Sequence, residues 1–201
     1  MPHGFAQIAF TDTVRRAQEQ AGSRATYARM ESGEAMRNQA LGDGEAAFLS
    51  ARDSFYMATV NEAGWPYIQH RGGPAGFVRV LDERTIGFAD FRGNRQYVSV
   101  GNLLTEDRVS LFFMDYPHRR RLKLFGRARL VTDQETVERL VVPAYPALVE
   151  RGLLITVEGF DSNCPQHITE RFTTEDIRSA TASLTDRIAE LEAKLARIEG
   201  T

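Results

Sequence analysis

Phe55-Tyr56-Met57-Ala58-Thr59-Val60 is followed by Asn61-Glu62-Ala63-Gly64 and then by Trp65-Pro66-Tyr67-Ile68-Gln69-His70-Arg71. An apolar run rich in β-favouring residues, a polar turn ending in glycine and a second such run predict two strands joined as a hairpin. Working outward, runs of the same kind occupy Phe77 to Leu81, Thr85 to Ala89, Val109 to Met114, Leu122 to Val131 and Leu153 to Glu158, each bounded by Gly, Pro or acidic turn residues. One helix, about Arg95 to Leu103, interrupts the first five strands. That spacing suits hairpins and an antiparallel barrel better than repeated βαβ units. The expected core is therefore mainly β, of the α+β class.

The flanks of this region read as helical. Thr11 or Asp12 caps a segment through about Gln20, Asp43 caps another through Ala51, and Thr132-Asp133 precedes a short helix from Gln134 to Leu140. From Thr174 to Glu199 the apolar positions Ile177, Leu184, Ile188, Leu191, Leu195 and Ile198, with Thr181 in the same series, are spaced alternately by four and three. That is a heptad seam, read first as packing between subunits and second as a tail helix folded back on its own barrel. The chain accordingly divides into an N-terminal helical arm (1–43), a β-barrel domain (44–173) and a C-terminal amphipathic helix (174–201).

Composition narrows the function. Over 201 residues, 42% hydrophobic and 26% charged residues match an ordinary globular chain, and 25 Lys+Arg against 27 Asp+Glu leave a formal charge of -2. No global field favours nucleic acid or anionic lipid, and no apolar run reaches the length of a membrane span. The single cysteine, Cys164, excludes an internal disulfide and a multi-cysteine metal cluster. The four histidines show no ligand spacing, so no metal is expected. These features predict a cytoplasmic protein acting on a small molecule.

Four clusters carry candidate chemistry. Gln69-His70-Arg71-Gly72-Gly73-Pro74 runs polar side chains into two glycines, read equally as a close approach for a flat ligand or phosphate and as a tight turn with polar flanks. Asp90 to Gln96 lies at a strand-to-helix junction, where a phosphate would meet free N–H groups assisted by Arg95, Gln96 and Ser99, or where a capped helix simply carries a solvated arginine. Arg119, Arg121, Lys123, Arg127 and Arg129 alternate along one strand, chiefly as a solvated face. Asp161-Ser162-Asn163-Cys164-Pro165-Gln166-His167, followed by Arg171-Phe172, ends the last strand. A ligand-positioning role is favoured there over a catalytic Cys164 thiol, whose activation spacing cannot establish.

Together, FYMATVNEAGWPYIQHRGG, GFADFRGNRQYVSVGNL, DRVSLFFMDYP, RRRLKLFGRARLV and FDSNCPQHITERF, from about Ala47 to Phe172, resemble the pyridoxamine 5′-phosphate oxidase-like family of FMN-binding split barrels. The pattern is closer to its general flavin-binding relatives than to the true oxidase. The resemblance implies a six-stranded antiparallel split β-barrel with flanking helices that forms a homodimer, with FMN at the subunit interface. By the same resemblance, Gln69, His70 and Arg71 line the isoalloxazine or ribityl chain, and Arg71, Gly72 and Gly73 supply backbone contacts. Asn94, Arg95, Gln96 and Ser99 hold the phosphate, while Asn163, Gln166, His167 and Arg171 approach the flavin from the partner chain.

The expected activity is that of an FMN-dependent oxidoreductase moving hydride or electrons between a reduced donor and a small acceptor, with His167 the candidate proton donor. The alternatives are a non-catalytic flavin-binding or storage protein and a haem-binding split barrel; a deazaflavin in place of FMN also stays open. Two departures bear on substrate. Where the true oxidase has an Arg and, five residues later, a Lys for the substrate phosphate, this chain has Gln69 and Pro74. Where relatives often carry Trp, it has Ser162.

Overall fold

The hairpin forms as its sequence predicts. Strand β1 (Ser54–Val60) pairs antiparallel with β2 (Pro66–Gly72), placing Phe55 opposite Arg71, Tyr56 opposite His70 and Met57 opposite Gln69. The turn is fixed by Asn61, whose Oδ1 accepts from the N–H groups of Ala63 (3.0 Å) and Trp65 (2.9 Å), while Gly64 takes φ 83°. A short amide side chain bonding its own backbone is what makes Asn a turn residue. Along β1, Phe55, Met57 and Thr59 point into the core and Tyr56 points out.

This computed structural model describes residues 4–31, 38–162 and 165–199. It comprises two units, Met1–Asp115 with Arg120–Cys164, and Tyr116–Arg119 with Pro165–Thr201. In the first unit β1 and β2 are joined by β3 (Arg79–Asp82), β4 (Thr85–Phe91), β5 (Arg108–Asp115), β6 (Arg120–Val131) and β7 (Val149–Ser162), in the order β2-β1-β5-β6-β7-β4-β3, every neighbouring pair antiparallel.

Seven strands replace the six implied by the family resemblance. The seventh is accounted for by β3, a four-residue edge strand held to β4 through a register shift between Val80 and Asp82. Its expected start at Phe77 also moves, because Phe77 and Val78 leave the ladder and sink into the core, each 1% exposed. At the other end, β7 begins four residues before its expected first residue, Leu153, because the charged pair Glu150 and Arg151 finds partners described below.

The sheet curls on itself. Phe55 on β1 and Phe88 on β4 are separated in the sheet by three strands, yet their ring centroids lie 5.2 Å apart. Phe113 on β5 stacks on Phe55 at 4.8 Å, and Phe77 completes the cluster at 5.8 Å from Phe55. Each such ring pair contributes about 0.5–1.5 kcal/mol beyond the burial of its area. The curled sheet leaves β2 and β3 as its edges.

Helices α1 (Gly4–Ala9), α2 (Asp12–Gln20), α3 (Arg24–Glu31) and α4 (Asp43–Ser50) precede the sheet. Thr11 caps α2, accepting from the Val14 N–H; at α4 the cap is Gly42 rather than Asp43, with Glu45 reaching back to the Gly42 N–H at 3.0 Å. Phe5 of α1 stacks on Phe125 of β6 at 5.0 Å. Helix α5 (Val98–Leu103) lies against β1, β2 and β6, and its Asn102 donates to Thr59 Oγ1 at 2.9 Å inside the core.

Helix α6 (Gln134–Leu140), capped by Asp133, packs Leu140 outside the barrel against Ala89, Val131 and Leu154. Gly87 and Gly152 make that seat, since a Cβ at either would stand 2.8 Å and 2.6 Å from Leu140. The second unit consists mainly of α7 (Thr174–Glu199). Among the described residues no helix is long and apolar enough to cross a membrane.

Candidate functional site

Alternation along β2 puts Gln69 and Arg71 on one side and His70 on the other. The Arg71 Nη1 donates to Asp90 Oδ1 on β4 at 2.6 Å, crossing from edge strand β2 to the strand next to the other edge. Arg151 on β7 forms a looser ion pair with the other Asp90 oxygen, at 3.5 Å. Asp90 is only 5% exposed, so the two guanidiniums offset its desolvation. Neither the Arg71 Nε nor the Arg151 Nε has a hydrogen-bond partner, although both are buried. A buried donor without an acceptor costs about 1–3 kcal/mol, offset here by the Asp90 carboxylate that both guanidiniums face. Beside them Ser99 donates to Gln69 Oε1 at 2.9 Å, leaving the Gln69 amide nitrogen as the end able to donate.

The turn after β4 adds backbone donors. Asn94 Oδ1 accepts from the Gln96 N–H at 3.1 Å, and Arg95 and Tyr97 adopt left-handed conformations, φ 61° and 54°. Such residues cost on the order of 1 kcal/mol each and concentrate where function demands them. A left-handed Tyr97 followed by a right-handed Val98 also turns successive N–H groups to one side, forming a concavity that accepts anions. Consequently α5 starts at Val98, not near Asn94 or Arg95 as expected, because a left-handed residue cannot continue a right-handed helix.

Glu150 organises this turn. It accepts from Arg92 Nε (2.9 Å), from Tyr97 OH (3.0 Å) and from Arg151 Nη2 (2.9 Å), while Arg95 Nε donates to the Tyr97 oxygen at 3.3 Å. The Arg92 hydrogen bond, with smaller contributions from Tyr97 and Arg151, holds the Glu150 carboxyl below the usual carboxylate range.

Two adjoining cavities open on these groups. One, about 240 Å³, is lined by Gln69, Arg71, Asn94, Arg95, Ser99 and Glu150 among others. The second, about 290 Å³, shares Gln69, Arg71, Phe91 and Gly93 with the first and adds aromatic walls from Phe77, Phe88 and Tyr145. The first cavity is polar, with Arg71 and Arg95 set against Asp90 and Glu150; its neighbour mixes polar groups with aromatic ones, of which Tyr145 is the most exposed.

The expected residues are thus distributed unequally. Gln69, Arg71, Asn94, Arg95 and Ser99 meet at the first cavity, and His70 and Gly72 line the second. His70 also sits edge-on to Tyr56, 5.6 Å between centroids, on the outer face of the hairpin. Gly73 and Gln96 line neither. Gly73 donates its N–H to the Asp53 carbonyl at 2.9 Å, and a Cβ there would stand 2.7 Å from Phe77, so this glycine serves packing and the expected backbone contact to a ligand gives way to it.

In the second unit Gln166 and His167 form an exposed turn, with His167 at φ 60°, and Arg171 stacks over the Tyr116 ring at 4.8 Å. Asn163 and Cys164 lie outside the described residues. On the basic strand β6, Lys123 meets Asp161 at 3.0 Å and Arg127 meets Asp107 and Glu158 at 2.8 and 2.6 Å, whereas the Arg121 Nε is buried rather than solvated. No cluster of His, Cys, Asp or Glu suited to a metal occurs among the described residues. Sequence reasoning missed Glu150 and Arg151 as site residues, and the only signal was a charged pair directly before an apolar run.

The chain belongs to the pyridoxamine 5′-phosphate oxidase family, whose model matches residues 42–156. Among solved structures it is similar to HupZ of Group A Streptococcus, 16% identical over 66% of this chain and 100% of that one, with a TM-score of 0.50. It is also similar to an FMN-binding protein of Syntrophomonas wolfei, 11% identical over 76% and 96% of the two chains, TM-score 0.48. A third is a Clostridium acetobutylicum protein related to general stress protein 26 of the pyridoxinephosphate oxidase family, 17% identical over 65% and 92%, TM-score 0.44. No curated protein sequence matches the chain.

Proposed function

We propose that this protein is an FMN-dependent oxidoreductase of the cytoplasm, moving hydride or electrons between a reduced donor and a small acceptor, and that it works as a homodimer. The observation that carries the reading is one polar cavity of this family's fold in which Arg71 and Arg95 meet Gln69, Asn94 and Ser99 beside a turn held left-handed at Arg95 and Tyr97. The arginine, amide and turn N–H donors suit a phosphate and ribityl oxygens, and the adjoining cavity, bordered by Phe91 and Tyr145, suits a planar ring.

FMN, when bound, supplies hydride and single-electron chemistry that no side chain of this protein can. The chain's own contribution is to bind and orient. Asn94, Arg95 and the N–H groups around Tyr97 hold the phosphate, with Ser99 acting through Gln69, whose amide nitrogen donates to ring or ribityl oxygens. Arg71, tied to Asp90, brings positive charge beside the ring, favouring its anionic reduced form. Asn163, Gln166, His167 and Arg171 approach from a second copy of the chain, His167 being the group suited to hold a proton near neutral pH. Gln69 and Pro74, in place of two cations, point to a substrate other than pyridoxamine phosphate.

The test is the absorption spectrum of the purified protein with mass spectrometry of any released chromophore, then stopped-flow reduction by NADH or NADPH. Flavin bands, FMN mass and reduction support the proposal. FMN without turnover in that assay indicates a storage role, a Soret band indicates haem, and a protein that neither carries nor takes up flavin overturns the reading.

A further inference from the structure

Helix α7 carries an apolar seam left open to solvent: Ile177, Leu184, Ile188, Leu191 and Leu195 are between 44% and 63% exposed. Their spacing places Ile177, Leu184 and Leu191 at heptad position d, and Thr181, Ile188 and Leu195 at position a. In the central heptad Ile188 at a lies between Leu184 and Leu191 at d, the combination that favours two parallel strands. Thr181 does not oppose burial, because its hydroxyl donates to the Ile177 carbonyl at 2.8 Å and is already satisfied within the helix.

Charge selects the partner and its direction. Arg187 falls at position g and Glu192 at position e. In a parallel, in-register pair of identical helices, g of one chain faces e of the next heptad of the other, so Arg187 meets Glu192 twice by symmetry. In an antiparallel pair g faces g, which sets the cations Arg187 and Lys194 against their own kind. Arg187 is also free to exchange partners: it shares Glu190 with Lys194, and Lys194 alone suffices to neutralise that carboxylate.

We infer that α7 pairs in parallel and in register with α7 of a second copy of this chain. This assembly surface is independent of the flavin reading.

The test uses the full-length protein with Cys164→Ser, so that one introduced thiol is the only one, oxidised with diamide at micromolar concentration. Leu184→Cys and Leu191→Cys, both at d, should form covalent dimers at least about tenfold faster than Ala193→Cys, at the outward position f, because pairing raises the local thiol concentration towards millimolar. Cross-linking at only one d position, at neither, or equally at Ala193→Cys overturns the inference. In the Leu191→Cys background, Arg187→Glu should slow the reaction and adding Glu192→Arg should restore it. Failure of the double exchange to restore the rate overturns the parallel register.

Discussion

The Arg71 guanidinium donates to the Asp90 carboxylate at 2.6 Å, joining edge strand β2 to β4 where the backbone ladder does not. One contact therefore both closes the barrel seam and fixes the charge that faces the candidate site. The pair is set in a largely dry environment, with side chains 13% and 7% exposed. Each partner consequently depends on the other.

Asp90→Ala should be among the most destabilising single changes, because it leaves Arg71 buried without its counter-charge, whereas Arg151 keeps Glu150; breaking a buried pair costs about 3–5 kcal/mol. Urea denaturation measures the loss, and Arg71→Ala/Asp90→Ala together should lose less than the two single changes summed. Strict additivity would show that the two residues are not coupled.

Asn94→Asp tests the phosphate assignment without dismantling the turn, since the new carboxylate oxygen can still accept from the Gln96 N–H. A like charge near a phosphate in a half-wet site should weaken FMN binding by about tenfold or more, roughly 1.4 kcal/mol. Fluorescence titration with FMN reads it, and an unchanged Kd removes Asn94 from the phosphate site.

Glu150 links the site to pH. Its folded-state pKa lies below the ordinary 4.5, chiefly through Arg92, so the stability it contributes is full above that value and is lost as pH falls through the folded-state pKa. Glu150→Gln should therefore lower Tm at about pH 6 and matter progressively less towards about pH 3. Parallel thermal melts of the two proteins check this, and a Tm difference that stays constant with pH would show that ionisation of Glu150 is not what stabilises the turn.

Leu140→Ala should cost about 2–4 kcal/mol, since the side chain is fully buried on a seat shaped by two glycines. Gly152→Ala in the natural background should cost about 1–3 kcal/mol by crowding Leu140 and Val131. With Leu140 already truncated, the added methyl crowds only Val131 and its cost should fall. Denaturation midpoints of the four proteins close the cycle.

Much of the barrel was legible because alternation and turn chemistry are local. All seven β runs become strands, and Thr11 and Asp133 cap helices as their side chains suggest. Of the candidate site, the local pieces were legible as neighbours: Gln69, Arg71 and Asn94 line the first cavity. The site was not legible at Glu150, whose partners Arg92 and Tyr97 lie 58 and 53 positions away in sequence. Gly73 misled for a related reason: a glycine beside polar residues reads as room for a ligand, but its neighbour in space is Phe77.

Asn61 lines neither cavity, yet its grip on the Ala63 and Trp65 amides decides which side chains of β2 the first cavity receives, Gln69 and Arg71 rather than His70. Because neighbouring residues of a strand face opposite ways, adding or removing one residue in this turn would rotate Gln69 and Arg71 outward and carry His70 inward. A change of loop length at the far tip of the hairpin would thus exchange an amide and a guanidinium for an imidazole, giving the lineage a way to rewrite ligand preference without substituting any residue that touches the ligand.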